Sequence, residues 1–230
     1  MAGRSRRAER ASLRAALPGG ETLLARGTPP DPHAFRTAIL RASGTTKRGT
    51  GLRASGTTSC EGGHEMSSSP EARLAALGLE LPAVPVPLAA YVPAVRTGRY
   101  VYTAGQLPMV DGNLLLTGKV GDQVTAAEAA ALARTAALNA LAAVASVAGG
   151  LSAVTHVVKV TGFVASDPGF TGQPQVVNGA SELLLEVFGE AGRHARSAVG
   201  AAALPFDAPV EIELIVEVSA SPYPAAPPND

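Results

Sequence analysis

Tryptophan is absent from this 230-residue chain, and cysteine occurs once, at Cys60. A single cysteine cannot close an intramolecular disulfide, and its position leaves no thiolate nucleophile or cysteine-rich metal site for the rest of the chain. Histidine is nearly as scarce. Beyond residue 65 only His156 and His194 remain, with no carboxylate spacing around them that would complete a ligand set, so no metal is expected. Aromatic residues make up 4% of the chain, a thin supply for stacking nucleic-acid bases. Long apolar runs free of charge and turn signals are missing too. The one exception is an Ala-rich stretch after Thr125 that is amphipathic and capped, so no membrane span is expected and the cytoplasm suits the protein.

The formal net charge is zero, but it is unevenly distributed. Residues 1–65 carry ten Arg and one Lys against five acids, whereas residues 66–230 carry eight basic residues against fourteen acids. The first segment also repeats itself: Leu40-Arg41-Ala42-Ser43-Gly44-Thr45-Thr46 recurs as Leu52-Arg53-Ala54-Ser55-Gly56-Thr57-Thr58. With few large apolar residues it cannot offset its ordering entropy, so 1–65 reads as a disordered basic leader. Met66-Ser67-Ser68-Ser69-Pro70 would make a natural start for the folded part. Nucleic-acid binding or a transit peptide would fit such a leader, but neither has a discriminating motif. Ser5-Arg6-Arg7 lacks the apolar stretch that a twin-arginine export signal needs. The remaining organisation is 66–88 as a short helix with a Pro-rich linker, 89–219 as the folded domain, and 220–230 as a disordered tail.

Within the domain, Pro70 to Gly78 predicts a short helix. Leu88 to Val95 and Arg99 to Ala104 should pair across Thr97-Gly98, and Leu114 to Val120 could add a third strand after the Asp111-Gly112 turn. Thr125-Ala126-Ala127-Glu128 is a capping box for a long helix with a stripe of Leu132, Leu138, Leu141, Val144 and Val147, ending at Gly149-Gly150. Val154 to Val164 is a β-branched strand. A second helix should run from about Gln173 to Phe188, with Pro174 near its first position and Gly189 as its stop. The order βββ-α-β-α-ββ implies an α+β fold, a mixed sheet with two helices packed on one face.

The most informative segment is His194-Ala195-Arg196-Ser197-Ala198-Val199, followed by Leu204-Pro205 and the alternation Val210 to Val218. It reads as a closing β-hairpin turning near Asp207. An arginine set among Ala, Val and Gly must find an anion or a wet pocket, because burying it unpaired would cost several kcal/mol. On the last strand, Val210, Ile212, Leu214, Val216 and Val218 share the core face. Glu211, Glu213, Ile215 and Glu217 share the other, a candidate subunit interface.

The runs RSAVG, LP and VEIELIVEV resemble the closing segment of the Rid family of reactive imine deaminases, also called YjgF or L-PSP proteins. Upstream, Tyr91-Val92-Pro93-Ala94-Val95-Arg96-Thr97-Gly98 and Tyr100-Val101-Tyr102-Thr103-Ala104-Gly105-Gln106-Leu107-Pro108 are similar to its opening hairpin. The resemblance covers residues 89 to 219. It implies a chorismate-mutase-like homotrimer with clefts between subunits. Arg196 would grip a substrate carboxylate, Glu211 would activate water, the Gly105 backbone would meet the substrate nitrogen, and Tyr91, Asn178 and Ala198 would line the pocket. On the hairpin reading, Glu211 lies roughly 23 Å along the strand from Arg196, so the two would have to meet from different subunits. Ala104 and Ala198 depart from the family, which often has Ser at the first position and Cys, Thr or Ser at the second. The implied activity is cofactor-free hydrolysis of 2-enamino or 2-imino acids to 2-keto acids and ammonia. A non-catalytic trimer binding small carboxylates is the alternative. Ribonuclease activity comes third, because an acidic body with little aromatic surface suits nucleic acid poorly as a partner.

Overall fold

The computed structural model describes residues 69–84 and 90–220. The expected leader, 1–65, and the last ten residues lie outside the described residues, as do residues 85–89 of the Pro-rich linker. A first helix, α1 (Pro70–Ala76), is capped by the Ser69 side chain, which accepts from the Ala72 N–H. Two short strands follow, β1 (Ala94–Thr97) and β2 (Tyr100–Thr103), then the two-residue strands β3 (Met109–Val110) and β4 (Asn113–Leu114). The long helix α2 (Ala126–Ala148) precedes β5 (Val154–Ala165), α3 (Gln173–Phe188), β6 (Ala195–Ala201) and β7 (Val210–Val218). The main sheet has the order β1-β2-β7-β5-β6, antiparallel except for the β5–β6 pair. This is the expected α+β architecture.

The pairing expected across Thr97-Gly98 is present between β1 and β2, although the strand expected from Leu88 begins only at Ala94. Two further strand expectations fail. The segment after Asp111-Gly112 does not join the sheet. Asp111 (φ 51°) and Gly112 (φ 77°) form a tight turn joining β3 to β4, a hairpin of its own. A two-residue loop with both positions at positive φ matches the twist of its flanking strands and closes early, leaving Leu115 and Leu116 as buried plugs rather than strand. Nor do β6 and β7 form a hairpin. Both pair with β5, on opposite sides of it. Hairpin loops usually hold two to five residues. The segment 202–209 is longer, enough to cross the end of β5, a lateral step of roughly 10 Å.

The register fixes two faces. Val101, Val216 and Val157 form one paired row, and Leu214 and Val160 belong to another; all five are buried. These rows lie under the helices. Gly162 sits on the same side, where a Cβ would run into Val177 of α3. The intervening row, Val95, Tyr102, Ile215, Lys159 and Ala195, crosses all five strands on the opposite face.

Helix α2 is held at its start by the expected capping box, in which Glu128 and Thr125 bond each other's backbone N–H reciprocally. Its buried face is built mainly from alanine: Ala129, Ala133, Ala136, Ala137, Ala140 and Ala143 are fully buried beside Leu132 and Leu141, whereas Leu138 and Val147 of the expected stripe only flank the core. Each fully buried leucine contributes about 1.5–3 kcal/mol, while the alanines allow close approach. Helix α2 is long and apolar enough to span a membrane by length and composition, yet it is the central core helix, packed against α3 and β7.

Candidate active site

Arg196 lies on the edge strand β6, in the same row as Val160 and Leu214, and so on the helix side of the sheet. Its Nη1 donates to Asn178 Oδ1 at 2.7 Å and to Ser181 Oγ at 3.2 Å, both on α3. Three residues apart on one helix, Asn178 and Ser181 face the same way. No carboxylate pairs with Arg196 among the described residues. The charge is therefore oriented by neutral acceptors and left available for an anion. Ser181 is in turn 3.0 Å from His194 Nε2, and His194 Nδ1 is 2.6 Å from the Gly192 carbonyl oxygen.

Glu211 lies on the opposite face, in the row of Phe163 and Val199. The pairing of β2 with β7 breaks just beside it. Thr103 Oγ1 accepts the Leu214 N–H at 2.9 Å, and the ladder resumes only at Gln106 and Ile212. This local bulge carries Gly105 over the Glu211 carboxylate, so that a Cβ at position 105 would fall on its oxygen. Among the described residues the Gly105 N–H and C=O have no partner. Burial, and after it the neighbouring Glu213 carboxylate, pushes the Glu211 carboxyl above its ordinary range. Of the other acids on this face, Glu217 is paired with Arg99 at 3.0 Å. Glu211 is thus the acid set against an unpaired backbone.

These residues fall into two groups. Arg196 and Asn178 meet on the helix side, with Ala198 two residues along the same strand face and partly packed on the core. Glu211 and Gly105 meet on the open side. Counting two strand spacings and three residues of offset puts the Arg196 and Glu211 Cα atoms roughly 14 Å apart, not the 23 Å that a hairpin would give. What separates them within one protomer is the sheet itself. Tyr91 precedes β1 instead of lying in a strand, and at 58% exposure it belongs to no core.

Residues 71–218 match the family described as YjgF/chorismate mutase-like, putative endoribonuclease. The chain belongs to this family. Among its relatives, the Trypanosoma cruzi protein TCP17 is 46% identical over 149 residues, which is 64% of this chain and 93% of that protein. The solved structure of the Agrobacterium tumefaciens protein Atu1372, of unknown function, is 49% identical with a TM-score of 0.61, covering 65% of this chain and 92% of that one. A Shewanella oneidensis structure described as a putative endoribonuclease is 37% identical with a TM-score of 0.63, covering 65% and 99%.

Three residues of this YjgF-type domain escape a motif reading. Buried Asn139 on α2 donates to the carbonyls of Leu107 at 2.8 Å and Met109 at 3.0 Å, pinning the segment that follows Gly105. A lone polar residue in an alanine stripe was its only signal. Ser181 and His194 form the other addition, visible in sequence only as a serine one turn after Asn178 and a histidine two residues before Arg196.

Proposed function

We propose that the protein hydrolyses 2-imino and 2-enamino acids to 2-keto acids and ammonia, without a cofactor, as a cytoplasmic homotrimer with sites between subunits. The observation that carries this reading is the division of the candidate groups: a carboxylate-ready arginine on one side of the sheet, and a desolvated glutamate over a bare glycine backbone on the other. Arg196 of one protomer holds the substrate carboxylate through two parallel N–H···O bonds. Gly105 and Glu211 of the next supply the reacting end. The Gly105 backbone holds the imine nitrogen, and Glu211, with its raised proton affinity, takes a proton from water as the oxygen adds to C2. That proton passes to nitrogen, giving a carbinolamine; Glu211 then takes the hydroxyl proton and returns it to the amine, so that the C–N bond breaks and ammonia leaves as the carbonyl forms. The exposed Val95, Tyr100, Tyr102 and Val199 on the open face support burial against a second copy.

The test supplies an enzymatically generated 2-imino acid and follows ammonia release. Wild-type protein should accelerate it, with Glu211→Gln and Arg196→Ala each lowering the rate by about 100-fold or more. Wild-type protein that binds 2-keto acids but leaves the rate unchanged favours the second reading, a carboxylate-binding module, for which Ala104 and Ala198 speak because neither offers a hydroxyl or thiol to ligand or water. Cleavage of RNA by the purified protein, lost with the same substitutions, would point to the activity named for the Shewanella relative.

A further inference from the structure

The hydrogen-bond directions around Arg196 follow from the partners once the His194 ring is neutral. The Gly192 carbonyl only accepts, so His194 carries its hydrogen on Nδ1, the atom 2.6 Å away. A neutral ring then presents a bare Nε2, and Ser181 Oγ, 3.0 Å from it, donates its hydroxyl hydrogen there. That leaves the Ser181 oxygen lone pairs to accept from Arg196 Nη1 at 3.2 Å, while Asn178 Oδ1 accepts the other Nη1 hydrogen at 2.7 Å. Both hydrogens of Nη1 are thereby engaged. Nε and Nη2 have no partner among the described residues, so one side of the guanidinium fork stays free, the geometry that a carboxylate takes side-on.

We propose that His194 and Ser181 are positioning residues for Arg196, a relay running from the Gly192 carbonyl through a neutral imidazole and a serine hydroxyl that turns the Nε/Nη2 edge toward an incoming carboxylate. The inference rests on the carboxylate-binding reading of Arg196. A protonated ring would reverse the chain, forcing the Ser181 oxygen to accept from two cations at once. Burial, and with it the positive charges of Arg196 and His156, holds the imidazole below its ordinary proton affinity despite the Gly192 bond. Arg196 stands on an exposed edge strand, where an untethered guanidinium would populate many rotamers. Fixing one of them before the ligand arrives lowers the ordering cost of binding.

The experiment uses the full-length protein and pyruvate as a non-reacting 2-keto acid probe, titrated calorimetrically, together with ammonia-release kinetics. Ser181→Ala and His194→Ala should each weaken pyruvate binding and raise KM by about three- to tenfold, the range of one hydrogen bond, with kcat within about twofold. His194→Gln, whose carboxamide oxygen reaches the Nε2 position, should restore wild-type affinity. Nitrogen-15 spectra of the wild-type protein at neutral pH should show His194 protonated on Nδ1 alone, a readout independent of whether any variant folds. If Arg196→Ala abolishes pyruvate binding while Ser181→Ala and His194→Ala bind as wild type, or if the ring is protonated on Nε2, the relay is overturned and the carboxylate site stands. If Arg196→Ala binds pyruvate like wild type, both fall.

Discussion

At the scale of single residues, the close approach of Gly105 to Glu211 sets a glutamate's chemistry by removing its room. A Cβ at position 105 meets the Glu211 side chain from its carboxylate oxygen back to Cγ, a flexible chain that can swing away, so Gly105→Ala should cost less than about 1 kcal/mol of stability while displacing the carboxylate. A melting temperature within a few degrees of wild type, alongside an ammonia-release rate down by about tenfold or more, is the expected pair of readings. Glu211 itself works against the fold at neutral pH. Its folded carboxyl holds a proton more tightly than the ordinary value of 4.5, so its contribution to stability is fully present below that value and is lost as pH rises through the raised one. Glu211→Gln should therefore melt higher than wild type at pH 7. The two should converge below about pH 4.5, which thermal melts across the pH range would show. A stabilising substitution that removes activity is the signature of a strained functional group rather than a structural one.

At the scale of elements, small residues decide how closely the layers approach. Gly179 of α3 lies against the backbone of α2, where a Cβ would collide with the Ala130 carbonyl oxygen. Unlike a flexible side chain, that backbone has nowhere to go. Gly179→Ala should destabilise by about 1–3 kcal/mol and lower the melting temperature by several degrees, with Asn178 and Ser181 carried out of register with Arg196. This contact was illegible in the sequence, where Gly179 is only an interruption inside a helical pattern. The helices themselves were legible because their signals are local: the Thr125–Glu128 box, Gly149 in the left-handed region at φ 86°, and Pro174 at the start of α3. Strand identity was legible for the same reason, from the alternation of Val210 to Val218. Strand partnership was legible only for β1 and β2, joined by the tight turn at Thr97-Gly98, and not for the strands that follow. Alternation says which residues share a face, but a strand next in sequence and a strand next in space look alike until the length of the connection is weighed, and the eight residues from 202 to 209 count against a hairpin. The candidate site inherited this division. Arg196 and Glu211 stood out as charges in apolar strands, whereas the Gly105–Glu211 contact and the Ser181–His194 relay depend on pairings between elements that no local pattern carries.

At the scale of the whole molecule, the sheet divides the proposed chemistry. One protomer offers an arginine on its helix side and a glutamate on its open side, roughly 14 Å away at the Cα atoms, with the buried row of Val160 and Leu214 on one face and the half-buried Phe163 on the other. Catalysis by both groups on one substrate requires two chains, and this separates an assembled site from a single-chain site without any structure of the assembly. Consider Arg196→Ala and Glu211→Gln, each inactive alone. In the proposed cyclic trimer every site would join the Arg196 of one chain to the Glu211 of the next. When the two variants are unfolded together in equal amounts and refolded, each site draws its arginine donor and its glutamate donor at random, and one pairing in four unites an intact Arg196 with an intact Glu211. Activity should return to about a quarter of the wild-type value, whereas variants refolded separately and mixed without subunit exchange should stay inactive. Sedimentation of the mixture as a trimer fixes the denominator. Recovery of nothing from a mixture that sediments as trimer would mean that Arg196 and Glu211 do not serve one substrate across an interface.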